Sequence, residues 1–518
     1  MKSFLKEHAR NALLFALLLL LCVRILDSLR TQRKNRALAH SRNCVPPPEY
    51  ATRYYGVSSF LAAVQAAKSH RLLEVNRARF LEIGAKTYTM LNLGQRMTYT
   101  MSPDNLKAIL ATDFQSWGIG GRRKDSWGRA LGSGVFTTDG VAWKHSRSLL
   151  KPSFSKKDIG NLPMFEQHVA SLISVIKQAG PGATLDLGNL FSRMTTDFAT
   201  EYLLGEPTQS LLKGSDDHFL KAFDACVEHI GYVSRVGKLA ELFDIRHFRR
   251  QRKFVNDYID SYIEQKLVAR LEKPDKSSLV GKEERHTFLD ELLQQTTDRI
   301  VIRSELLNIL VAGRDTTAGL LTNTFHILSR RPEVVARLRE EIDAVVPRGS
   351  KPDIDSLKRL QYLSAILNES LRVFPVVPFN SRESLVPTVL PRGGGSDGSA
   401  PMFIPAGHTV IWSSYAMQRD PDVYGADAEV FNPDRWIDSG PESSERIRTI
   451  RSSFSYTPFG GGPRLCLGQE LVMTEVKYIM TRLFQEFRSV ESRDDRPWTE
   501  KFGVTCVNRY GADCAFRW

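Results

Sequence analysis

Ten residues near the C-terminal end constrain this chain more than any other stretch. Phe459-Gly460-Gly461-Gly462-Pro463-Arg464-Leu465-Cys466-Leu467-Gly468 sets one cysteine in a glycine-rich turn directly ahead of a helical pattern, Gln469 to Phe487. The glycines tolerate left-handed backbone and let the chain crowd a bulky flat group. The helix aims its N-terminal amides at the sulfur and favours thiolate over thiol. A lone intracellular cysteine is more often a small buried hydrophobe, so the setting rather than the residue makes Cys466 a candidate metal ligand. The metal it suits is a haem iron, with Phe459 covering the sulfur and Arg464 neutralising a carboxylate.

Composition narrows the class. The 518 residues are 42% hydrophobic and 25% charged, enough for a large buried core and without a sign of disorder. Six cysteines (Cys22, Cys44, Cys226, Cys466, Cys506, Cys514) are too sparse for a disulfide framework and form no CxxC pair, which favours a reducing, cytosol-facing compartment. The first fifty residues hold nine Lys/Arg against three Asp/Glu, so +6 of the formal +13 lies there. The remainder suits an anionic membrane surface, an acidic electron donor or simply a well-solvated surface. No nucleic-acid motif accompanies it.

An apolar run, Ala12 to Val23, is followed by Arg24, Ile25 and Leu26. It is short for a span of about 20, so a cleaved signal peptide competes with a membrane anchor. The anchor is the better reading. No small-x-small cleavage site follows, the run can extend toward Phe4 and Leu26 with Lys6 and Arg24 snorkelling, and a basic cluster (Arg30, Arg33, Lys34, Arg36, Arg42) comes next. The basic flank would keep the body cytosolic. Pro46-Pro47-Pro48 reads as a stiff joint, and Lys273 to Glu284 as a polar connector.

Apolar spacing predicts helices over Pro163–Ala179, Leu190–Leu204, Phe219–Tyr232, Phe254–Leu271, Ile302–Ser329, Glu333–Val345, Gln361–Phe374 and Gln469–Phe487. Short strands are expected at Leu91–Leu93, Thr98–Thr100, Val376–Phe379, Met402–Ile404 and Val410–Trp412, with Pro391–Pro401 as a loop. The fold class is mostly α with a small β-rich lobe.

Three further groups of residues carry chemistry. Ala312-Gly313-Arg314-Asp315-Thr316-Thr317 interrupts an apolar helix with small and polar residues. A Thr hydroxyl there can bond back to the preceding turn, and an acid beside an alcohol can relay protons; an exposed polar face of a kinked helix is the alternative. Glu369-Ser370-Leu371-Arg372 puts a carboxylate and a guanidinium on one helix face, which on a surface would be a weak ion pair. Trp143 and Arg147, one turn apart, offer an indole N–H and a guanidinium to carboxylate oxygens.

In these motifs and their order the chain resembles the cytochrome P-450 superfamily. The resemblance implies the cytochrome P-450 fold and a haem b with Cys466 as axial ligand, in the company of Phe459, Gly460, Arg464 and Gly468. It also implies Asp315 and Thr316 as the catalytic acid–alcohol pair beside Ala312, and Trp143, Arg147, Arg382 and Arg464 on the haem propionates. Glu369 and Arg372, joined by Arg435, would be a buried structural brace for the cysteine loop. Ile309, Val376 and Val377 are candidates to face substrate, though plain core is the commoner role for such residues.

The closer likeness is to the fungal alkane and fatty-acid terminal hydroxylases. It rests on Cys44-Val45-Pro46-Pro47-Pro48, Phe136 to Arg147, Ala312 to Thr317 and Leu390 to Gly395. Phe459-Gly460-Gly461 and the Arg-rich Gly120-Gly121-Arg122-Arg123 depart from that group's wording. The implied enzyme is an endoplasmic-reticulum monooxygenase, single-pass, with residues 1–28 as anchor, 29–48 as linker and 49–518 as the haem-thiolate domain. NADPH, through a flavoprotein reductase, would supply its electrons, and its substrate would be a hydrophobic small molecule. Alternatives are a tailoring hydroxylase of polyketide or terpenoid intermediates, an electron-independent haem-thiolate isomerase, and a non-catalytic haem or lipid carrier.

Overall fold

A computed structural model describes residues 2–154, 161–237, 245–272, 287–347 and 349–518. The connector expected at Lys273 to Glu284 lies outside the described residues. The body is mostly helical, with small sheets gathered beside the helices.

The molecule is organised around one helix, Arg299–Leu328. Asp298 caps it, its carboxylate accepting from the N–H groups of Ile300 at 2.8 Å and Val301 at 3.2 Å, which explains a start three residues earlier than its apolar spacing indicates. Its first half (Ile302, Leu306, Leu307, Leu310, Val311) belongs to one hydrophobic core and its second half (Ala318, Leu320, Leu321, Phe325, Leu328) to another. Ala312 to Thr317 lies between the two and enters neither. The helices Leu187–Leu204 and His218–Val236 flank this central helix, and the first core is completed by the latter together with Arg246–Glu272.

The larger sheet has five strands in the order Thr87–Asn92, Gln95–Thr100, Thr409–Ser413, Phe379–Ser384 and Trp117–Gly118. All its pairings are antiparallel except Gln95–Thr100 with Thr409–Ser413. The strand expected at Val376–Phe379 begins only at Phe379, because Pro375 and Pro378 offer no N–H to a ladder. The Gly-rich segment expected as a loop is partly strand: Thr388–Gly394 pairs with Ala400–Ile404 through a register break between Leu390 and Gly394. Leu93 takes a left-handed turn (φ 48°) instead of ending a strand. Helices at Val57–Lys68, Leu72–Ile83 and Gly121–Leu131 have no counterpart in the apolar spacing.

The N-terminal segment is one continuous helix, Lys2–Ser41. Leu14, Phe15 and Leu17 through Leu21 stand exposed on it, about half or more of each surface uncovered. Among the described residues no helix is long and apolar enough to cross a membrane. Val45 N–H donates to the Pro401 carbonyl at 2.9 Å and ties the chain to the sheets four residues after that helix ends.

Candidate functional site

The cysteine loop is closed by its own backbone. Cys466 N–H donates to the Phe459 carbonyl at 3.1 Å, and Gly462–Arg464 forms a single 3-10 turn. Gly460 (φ 75°) and Gly462 (φ 62°) occupy left-handed backbone, and a Cβ on Gly462 would fall inside the Leu110 carbonyl. The cysteine helix, Gln469–Glu486, follows with Gly468 at its cap. Cys466 is exposed. Burial of the surrounding loop raises its thiol above the ordinary value, and the Gly468 N–H and Arg147 draw it only part of the way back toward thiolate. Phe459 is partly buried against the second core, and Gly468 lies against the Phe154 ring.

On the central helix, Thr316 Oγ1 donates to the Ala312 carbonyl one turn back, at 2.6 Å. A Cβ added to Gly313 would meet nothing within 4 Å, so the helix borders open space here. Asp315 has Arg314 Nη1 at 3.2 Å. Burial pushes the Asp315 carboxyl up, the Arg314 guanidinium pulls it back, and Asp224 adds to the push. Arg314 itself is a buried junction that the motif reading left without a role. Its Nε donates to Thr196 at 3.0 Å and its Nη2 to Ser192 at 3.1 Å, and it pairs with Asp224 on His218–Val236. An arginine inside an apolar run was the available signal, since such a side chain must find partners.

Cations gather where the sheet meets the cysteine loop. Arg382 is 7% exposed, and its Nη1 donates to the Ser381 carbonyl at 2.8 Å and to Asn380 Oδ1 at 3.4 Å. Arg464 stacks over the Trp143 ring, 4.3 Å from its centroid, and pairs with Asp139 Oδ1 at 2.6 Å. Asp139 stands at the cap position of Gly140–Leu150 yet makes no capping bond; its carboxylate takes Arg464, Lys124 at 3.1 Å and the Ile119 N–H. Arg147 lies over the same Trp143 ring, 5.9 Å from its centroid, and its Nη2 donates to the Leu465 carbonyl at 2.9 Å. Burial and the repulsion of Arg123 and Arg464 push Arg382 down to about 9, and burial and the repulsion of Arg147 push Arg464 down to about 10, with Asp139 opposing in both cases. Among the described residues Arg464 Nε is buried without a partner. Cationic groups short of anions suit the carboxylates of a haem, and an accessible cysteine beside them suits its iron, so the residues present fit that group.

Glu369 and Arg372 are completely buried and paired two-pronged, at 2.8 and 2.7 Å. Arg372 also donates to the carbonyls of Gln418, Ala428 and Val430, while Glu369 accepts from Asn432 N–H and Trp436 Nε1. Arg435 Nε lies 3.7 Å from Glu369. Trp436 packs on Tyr456, whose hydroxyl donates to Asn368, and Tyr424 OH donates to the Ser455 carbonyl. The pair is thereby connected to the strand of chain leading into the cysteine loop.

The three proposed substrate-facing residues are not alike. Val376 is buried in the second core, its side chain where a Cβ on Gly319 would touch it. Ile309 is partly buried against the first core, and Val377 is 36% exposed.

Comparison with known proteins follows the same lines. The family profile for cytochrome P450 matches residues 53–509. Cytochrome P450 monooxygenase himC of Aspergillus japonicus is 37% identical over 91% of this chain and 83% of its own length. Cytochrome P450 52A12 of Debaryomyces hansenii is 38% identical, covering 87% of this chain and 88% of that protein, and cytochrome P450 52A1 of Candida tropicalis is 39% identical, covering 81% and 78%.

Proposed function

Because the chain belongs to the cytochrome P450 family, an oxidoreductase family of haem-thiolate monooxygenases, we propose that it hydroxylates an aliphatic C–H bond of a lipid-like molecule, an alkane or fatty-acyl chain, at or near its end. Electrons would come from NADPH through a membrane-bound flavoprotein reductase. One observation carries the reading: an acid and an alcohol, Asp315 and Thr316, sit on the central helix in the gap between two cores, beside open space at Gly313. Bound haem supplies activation of dioxygen at a thiolate-ligated iron. Cys466 provides the thiolate. Thr316 and Asp315 hold and pass protons, the hydroxyl kept in place by the Ala312 carbonyl. Trp143, Arg147, Arg464 and Arg382 would hold the haem carboxylates, Arg147 and Arg464 both lying over the Trp143 ring. The apolar flanks, Ile309 and Val377, exclude water from a hydrophobic substrate.

The exposed apolar side chains from Leu14 to Leu29 support a membrane role for the N-terminal helix. We place it as the anchor of an endoplasmic-reticulum enzyme with the body in the cytosol, the snorkelling end of Arg24 completing a short apolar stretch. A second reading is a tailoring hydroxylase of a polyketide or terpenoid intermediate, since an Aspergillus monooxygenase whose name specifies no substrate matches as extensively as the 52A proteins.

The test is turnover of reconstituted enzyme with reductase, NADPH, isotope-labelled O2 and a series of alkanes and fatty acids, with product oxygen mapped by mass spectrometry. Label at a terminal carbon is the expected result. No product from an enzyme with an intact thiolate spectrum overturns the lipid substrate and favours the tailoring reading.

A further inference from the structure

The Arg-rich start of the helix Gly121–Leu131 has so far been given no task. Its two arginines diverge. Arg122 Nη2 donates to the carbonyls of Ser234 and Arg235, at 2.8 and 2.9 Å, at the C-terminal end of His218–Val236. Arg123 turns the other way, toward the cations around Trp143. Its Nη1 donates to Asn380 Oδ1 at 3.0 Å, the same oxygen that Arg382 reaches, and its guanidinium lies over the Trp127 ring at 4.5 Å.

We propose that Arg123 is a further cationic partner of the haem carboxylates, beside Arg147, Arg382 and Arg464. This rests on the haem reading above. Charge balance is the argument. Arg123, Arg382 and Arg464 share one neighbourhood in which Asp139 is the one carboxylate that acts on all three, and Asp139 also takes Lys124 at 3.1 Å, so at least two positive charges are left over. A haem brings two carboxylates. Among the described residues the Nε of both Arg123 and Arg464 is buried without a hydrogen-bond partner, so two charged donors are left over as well. Leaving such donors unmatched is costly, and bringing a planar carboxylate to a guanidinium fork removes the cost. Burial and the neighbouring Arg464 push Arg123 down to about 10, the direction that an anion would reverse. Asn380 fits the same picture: its carbonyl oxygen spaces two like-charged groups that would otherwise separate. The adjacent Arg122 makes the same short helix a link between that pocket and the helix beside Arg314.

The experiment follows haem transfer from purified full-length holoenzyme to excess apomyoglobin, together with the midpoint potential of the haem iron, for Arg123→Gln, Arg123→Lys and Arg122→Gln. Arg123→Gln is expected to lose haem on the order of tenfold faster, the loss of about one charged hydrogen bond, with a more negative potential because a cation has gone. Arg123→Lys should recover part of both. Arg122→Gln, on the same helix but outside the cation cluster, should match the wild type in both. Wild-type behaviour of Arg123→Gln, no recovery with lysine, or an equal defect in Arg122→Gln each overturns the proposal, the last by assigning the effect to the helix. Where Arg123→Gln yields no holoenzyme, the lysine variant against Arg122→Gln decides: faster loss supports the assignment and equal loss overturns it. A wild type without the thiolate-type reduced CO spectrum instead overturns the haem reading itself.

Discussion

At the scale of single residues the site depends on a few atoms with no substitutes. Cys466→Ala leaves the loop its backbone bond to Phe459 but no thiolate, so the thiolate-type reduced CO spectrum is expected to vanish; its persistence would falsify the ligand assignment. Thr316→Ala removes a hydroxyl that bonds only one turn back, so haem should stay while NADPH oxidation diverts to peroxide by on the order of tenfold relative to product, measured by peroxide yield. Fully coupled turnover would remove the relay role. Glu475 on the cysteine helix is 3% exposed, and burial alone pushes its carboxyl from 4.5 up to about 8. The folded state therefore holds a proton that the unfolded state releases between those values, and stability is full below about 4.5 and declines as pH rises toward 8. Glu475→Gln should accordingly melt higher than wild type at pH 8 by an amount worth a few kcal/mol, the gap closing by pH 5. Parallel melting curves for the two proteins would contradict this.

At the scale of elements, the helices were legible and the strands less so. Gln361–Val373 and Gln469–Glu486 end within one residue of where their apolar spacing stops, because each buries one continuous face. The strand at Phe379–Ser384 was displaced because β-branched residues ahead of it lie between prolines. Gly121–Leu131 went unseen because it is held by arginines rather than by an apolar stripe. The same distinction runs through the site. Cys466, Thr316 and the Glu369–Arg372 pair stand in local motifs, whereas Asp139, Asn380, Arg123 and Arg314 acquire their roles from partners far along the chain. The carboxylate–guanidinium pair is the element-scale test. Arg372→Ala leaves Glu369 buried without its two-pronged partner and frees three carbonyls from segments 418–430, a loss of about 3–5 kcal/mol by melting. An unchanged melting temperature would mean that the brace is dispensable.

At the scale of the whole molecule, the two cores meet on one helix and leave their gap where the chemistry is proposed, so reactivity and packing divide the helix between them. None of the described side chains of the N-terminal helix enters either core. Its exposed leucines predict that the double substitution Leu18→Lys, Leu19→Lys moves the protein from the vesicle-bound to the free fraction in flotation, with the folded body unaffected. Retention on vesicles would shift the attachment to another surface.

If the helix is anchored as proposed, it has a geometric effect. Forty residues at about 1.5 Å each form a rod of roughly 60 Å. The rod stops at Ser41, and Val45 is already fastened to Pro401, so scarcely any slack separates rod from body. A body on so short a leash would not wander through bulk solution. It would explore a thin layer over the bilayer, where the effective concentration of anything else confined to that surface is high and weak encounters become frequent.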